Sequence, residues 1–242
     1  MKHLIQNIVE PRRLLLRWQP EFEKASANRT HWIVAELKTR TSHAENGYEF
    51  SYLEKTTDFA EAVQRGFPGH AAFPILDKHY SRALLDVFMK RLPPRSRGDF
   101  GEYLAFHCLP SDAVISDFAL LGYTGAKLPS DGFSFIHPFD DTDGPCEFRM
   151  DVAGWRLHRE ALAPLKVDMP ASFAPEPSDT DDPQAVQISS EGRLVGYVPR
   201  GLTESFHSWF EKSDVSAVIH SVPLPEERPE LALFVTVRPS KP

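Results

Sequence analysis

Apolar and polar positions follow two rhythms along the chain, and these rhythms mark out its elements. Arg13 to Trp18, RLLLRW, predicts a strand. From His31, HWIVAELK puts Ile33, Ala35 and Leu37 on one face and Trp32, Val34 and Glu36 on the other, a second strand. Asn46-Gly47 is a turn signal, after which Tyr48, Phe50 and Tyr52 alternate with polar residues, giving three antiparallel strands. A helical rhythm then takes over from Asp58 to Gln64, closed by Gly66. It returns over Tyr80 to Leu92, where Leu84, Leu85, Phe88, Met89 and Leu92 form a core-facing stripe that Pro93-Pro94 stops. Phe100 to Phe106 predicts a further helix, and Ser111 the cap of one carrying Val114, Ile115, Phe118 and Leu121. Gly122 to Gly132 is turn-rich, and Phe133 to Phe139 closes this half as a strand.

Asp140 to Pro145, DDTDGP, is short, acidic and turn-forming, as a domain boundary should be, which divides the chain into residues 1–143 and 144–242. Beyond it, Phe148 to Arg156 predicts a strand, residues 159–166 a brief helical insertion and Pro175 to Asp181 an acidic loop. Ala185, Val186 and Ile188 supply a strand, Ser189 to Gly192 the turn and Leu194 to Val198 the returning strand of a β-hairpin. Pro199 ends that strand, and Leu202, Phe206, Trp209 and Phe210 recur at helical spacing, so one helix covers the sheet. Phe234 to Val237 is the closing strand. The expected fold class is α+β: a small N-terminal antiparallel sheet with helices, then a β domain with one covering helix.

Composition narrows the function classes. The formal net charge is −7, and the acid surplus lies mainly after Pro145, which is not the footprint of a strong nonspecific nucleic-acid binder. Cys108 and Cys146 match no metal spacing and suit a reducing compartment. No apolar run is long enough to span a bilayer, and Pro11 interrupts the N-terminus before a signal-peptide core could form, so a cytoplasmic protein is expected, without membrane, metal or cofactor.

Two motifs carry a resemblance. Asp182-Pro183-Gln184-Ala185-Val186 and Gly196-Tyr197-Val198-Pro199-Arg200 stand at the separation found in the HIRAN domain, which this region resembles. Gly154-Trp155-Arg156-Leu157-His158 falls where that family carries an arginine followed by two aromatics. The resemblance implies an OB-like β-barrel with one covering helix and a pocket for the 3′ end of single-stranded DNA. Carried over residue by residue, it implies a nucleic-acid site of Arg156, His158, Asp182, Tyr197 and Arg200. In such a pocket a carboxylate accepts from the terminal hydroxyl, an arginine pairs with phosphate, and an aromatic face stacks a base. Leu157 and His158 replace the two aromatics, and Asp179, Thr180 and Asp181 stand where the family prefers Asn-Pro-Tyr, so two carboxylates add negative charge beside the phosphate path. Each residue also has a plain structural reading: Asp182 as a turn brace, Tyr197 as a strand aromatic, Arg200 as an exposed residue before the helix, and Arg156 as an ion-pair partner of the acidic loop.

The first half has a second resemblance. WIVAEL, NGYEFSY, DVFMKRLPPRSR and FALLGYTGAKLP look like successive parts of the N-terminal subdomain of HipA-type serine/threonine kinases, over about residues 13–139. The nucleotide-binding and catalytic segments of such a kinase have no counterpart in this sequence. Arg91, Arg95 and Arg97 form a secondary basic patch. No Ser/His/Asp, Cys/His or paired-carboxylate signature is visible, and catalysis is not expected. The leading expectation is a non-catalytic DNA-associated adaptor that binds single strands or 3′ ends. The alternative is a protein-interaction or antitoxin-like regulator whose partner is a HipA-type kinase, a helicase or a nuclease.

Overall fold

Three strands open the chain: β1 (Arg13–Trp18), β2 (Trp32–Thr41) and β3 (Asn46–Tyr52). Among the described residues four short helices follow, α1 (Thr57–Gln64), α2 (Leu84–Met89), α3 (Phe100–Phe106) and α4 (Asp117–Thr124), and then β4 (Phe133–Ile136). The second half runs β5 (Cys146–Asp151), a 3-10 helix (Trp155–Leu162), β6 (Pro170–Pro175), β7 (Val186–Ser190), β8 (Arg193–Tyr197), α5 (Thr203–Lys212), β9 (Ser213–Ser221) and β10 (Ala232–Pro239). These come from a computed structural model that describes residues 3–20, 30–41, 46–74, 79–81, 84–128, 131–142, 144–176, 182–223 and 230–240. The residues between Thr41 and Asn46 and the Asp179 to Asp181 run lie outside the described residues.

Two antiparallel sheets result, of order β3-β2-β1-β4 and β5-β10-β9-β6-β7-β8. The continuous apolar run of β1 is buried on both faces, as a central strand requires. Leu14 meets α4, where a Cβ on Gly122 would stand 2.6 Å from the Leu14 Cδ2. Leu15 pairs with Ile136 across β4 and lies on the opposite face. Aromatic rings fill part of the first core: Phe50 stacks on Phe73 at 4.3 Å, and Phe88 meets Phe135 edge-on at 4.8 Å. The buried apolar side chains of the two sheets form one continuous cluster. Phe139 joins them by stacking on Phe148 at 4.4 Å.

The structure corrects several expectations. The second sheet is not a closed barrel, because its ladder runs from β5 to β8 without returning. A single bridge between Ala153 and Tyr197 touches its two ends. The predicted helix over Tyr80 to Leu92 is regular only as α2, although Leu84, Phe88 and Leu92 are buried as the stripe requires. Ser111 caps nothing helical and Val114 is 95% exposed. The cap is Ser116, whose hydroxyl accepts from the Ala119 N–H at 3.0 Å, so the helix takes in Gly122 and stops at Gly125, in the left-handed region at φ 71°. Ser116→Ala is expected to cost about 1 kcal/mol in equilibrium urea unfolding, the usual worth of such a cap.

Candidate nucleic-acid interface

The β7–β8 hairpin is built by its turn. Glu191 and Gly192 have φ of 50° and 75°, the pair of positive values that a tight hairpin matching the strand twist needs. Along β8, Gly196 has φ 148° and lies against the segment after β5. Ala153 and Tyr197 exchange both backbone hydrogen bonds there, at 2.8 and 2.9 Å. Gly154, with φ 67°, then turns the chain out of the strand into the 3-10 helix. Arg156 and His158 therefore sit on that helix, and the strand predicted to reach Arg156 ends at Asp151.

The five expected site residues fall into two groups. In the first, the His158 and Tyr197 rings lie 6.0 Å apart and tilted. Beside them in the chain, the Arg156 guanidinium covers the Trp155 ring at 4.2 Å and donates to both Glu230 oxygens at 3.1 and 3.0 Å. Glu230 also accepts from the Trp155 indole at 3.0 Å. Among the described residues Arg156 thus has Glu230 as its partner; residues 177–181 of the acidic loop lie outside them. Burial lowers the His158 pKa, favouring the neutral ring. Leu157 is 58% exposed.

Asp182 and Arg200 make the second group. Asp182 braces its own turn, accepting from the Gln184 N–H at 3.1 Å, and its other oxygen lies 3.3 Å from the Arg200 Nε. Arg200 reaches further, into the first half of the chain. Its Nη1 donates to the Asp58 carboxylate at 2.9 Å and lies 3.6 Å from Glu61. Both acids belong to α1, and both are tied to β2: Asp58 accepts from the Ile33 N–H and Glu61 from the Trp32 indole, each at 2.8 Å. Burial holds the Asp58 pKa above its ordinary value, against the lowering by the Ile33 N–H and Arg200.

The expected basic patch is not a free one. Arg91 is buried, donates to Asp131 through both terminal nitrogens at 2.7 and 2.9 Å, and also bonds the Ala126 and Phe133 carbonyls. Arg95 is held by Asp117 and the Ile115 carbonyl, and Arg97 by Asp99. These are structural ion pairs, and their guanidinium groups are already partnered.

Sequence reading missed Glu230, Asp58 and Glu61, the acids that engage the candidate arginines. It also missed a charged group that joins the two halves of the chain. Asp151 accepts from Lys127 at 2.6 Å and from Arg149 at 2.7 Å. Arg149 and Asp151 stand two apart on β5, so their shared face was open to a period-two reading. Lys127 had no local signal.

Aromatic rings beside guanidinium and carboxylate groups at the end of a hairpin can stack a planar group and pair with an anion or a hydroxyl. The family model of the HIRAN domain matches residues 146–238, from the start of β5 into β10. Of solved structures, the HIRAN domain of human HLTF is 15% identical over 38% of this chain and 74% of its own, with a TM-score of 0.31. A protein from Lactobacillus plantarum is 17% identical over 39% of this chain and 97% of its own, with a TM-score of 0.32. No curated protein matches the chain. The second sheet thus lies within the stretch that matches the HIRAN family model, while the HipA resemblance of the first gains no support from these comparisons.

Proposed function

We propose that the HIRAN region binds single-stranded nucleic acid, with DNA 3′ ends as its preferred form, and that the chain acts as a non-catalytic adaptor. The observation that carries this reading is the family match over residues 146–238, which takes in both motif halves and all five candidate residues. Asp182 supplies an acceptor for a terminal hydroxyl, Arg156 and Arg200 supply cations for phosphate, and Tyr197 and His158 offer faces for a base. A cytoplasmic setting goes with this reading, in view of two buried free thiols.

The test is fluorescence anisotropy of the full chain with a labelled single strand at low salt, its 3′ end either a free hydroxyl or a phosphate. Tighter binding to the hydroxyl form is expected. Asp182→Ala should abolish that preference, and Arg156→Ala should weaken binding about tenfold, the worth of one charge-assisted contact. Equal binding to both ends by the unaltered chain would remove the end-recognition claim.

A protein-docking function is the second reading, favoured by the carboxylates gathered round Arg200 and by the exposed Leu157 where the family carries an aromatic. It would make the first sheet and the acidic groups a surface for a basic partner, such as a HipA-type kinase or a repair enzyme.

A further inference from the structure

Arg200 stands where the end of β8 turns toward α5, and its surroundings are unlike those of an open phosphate site. One guanidinium faces three carboxylates: Asp182 from its own half, and Asp58 and Glu61 from α1. The two α1 acids are fixed in place by β2, through the Ile33 amide and the Trp32 indole, and do not reach Arg200 as loose side chains. The next residue, Gly201, has φ 90°, and a Cβ there would stand 3.0 to 3.3 Å from Ile136, Leu15 and Ile33. The corner that carries Arg200 is therefore seated against the first sheet. The ion pair is anchored by packing on both sides.

We infer that α1 is an acidic competitor built into the chain, whose Asp58 and Glu61 occupy Arg200 and hold the nucleic-acid site in a weak-binding state. The inference rests on the DNA-binding reading above and names its regulation. A backbone phosphate and the α1 carboxylates need the same guanidinium donors, and the surplus of two negative charges repels the phosphate before it arrives. Binding at Arg200 therefore requires this corner to part from α1. Anything that draws α1 away, a protein partner on the first sheet included, raises affinity for the strand.

The experiment compares the full chain with its Asp58→Asn/Glu61→Gln variant, using the labelled single strand with a free 3′-hydroxyl. The amide oxygens of Asn and Gln still accept from the Ile33 amide and the Trp32 indole, and thermal unfolding checks that the fold is kept. Glu61→Gln alone is the reserve variant, since that side chain is 43% exposed and the change is milder. About tenfold tighter binding is expected in the double variant, with the slope of log affinity against log salt steeper by about one, because one more phosphate contact forms. Adding Arg200→Ala to the double variant should return both values to those of the unaltered chain. Equal affinity and slope with and without the α1 acids would overturn the masking while leaving the DNA site in place. Absence of binding by both proteins at low salt would overturn the site, and the masking with it.

Discussion

Gly196→Ala is expected to lower stability by about 3 kcal/mol, because the seam beside β8 has no room for a methyl group. An added Cβ would stand 2.4 Å from the Ala153 carbonyl oxygen and 2.5 Å from the Val152 Cγ1. The first of these is backbone, held by the pair of hydrogen bonds that Ala153 exchanges with Tyr197, so relief requires breaking the bridge. The φ of 148° adds strain for any residue with a side chain. Equilibrium urea unfolding measures the loss. A change below about 1 kcal/mol would mean that the 3-10 segment shifts freely, and the pairing of His158 with Tyr197 would then lose its fixed geometry.

Asp151→Asn is expected to cost about 2 to 4 kcal/mol, the range for removing one member of a largely buried ion pair, taken low because Lys127 is half exposed. Burial alone would raise the Asp151 pKa; Lys127 and Arg149, with Arg17 behind them, overcome it and hold the carboxyl well below the usual carboxylate range. A group depressed in the folded state contributes stability above its unfolded pKa and loses it as the pH falls toward the folded value. The Asp151 contribution is thus complete at neutral pH and declines below about pH 4, the ordinary aspartate value. Unfolding free energies from pH 7 down to pH 3 should fall more steeply for the unaltered chain than for Asp151→Asn. Parallel curves would mean that the carboxyl contributes nothing specific.

Elements with strong local signals were legible in the sequence. Phe100–Phe106 was found with its bounds, and the hairpin with its covering helix followed from alternation, a Ser189 to Gly192 turn that the structure shortens to Glu191-Gly192, and helical spacing. The β6 strand was missed because proline begins and ends it and its side chains are mostly exposed, which leaves little alternation to read. In β9, Ala217 and Ile219 do alternate inward, but the polar residues before them hid the pattern. The strand predicted over Phe148 to Arg156 ends early, and the left-handed Gly154 turns the chain into the 3-10 helix before Arg156 is reached. Candidate site residues were named from motifs, while their partners were not. Arg200 meets Asp58 and Arg156 meets Glu230 across long stretches of chain, and such pairings are decided by how the sheets pack rather than by local pattern.

The order of strands in the second sheet also dictates when it can form. β5 is an edge strand whose ladder partner is β10, at the other extreme of the region. As the polypeptide leaves the ribosome, Phe148 and Met150 emerge long before the strand that shields them, and the hairpin of β7 and β8 is complete first. Nascent chains therefore pass through a stage with an unpaired apolar strand. Transiently exposed apolar surface and unpaired strand edges of this kind are what make incomplete chains prone to aggregate.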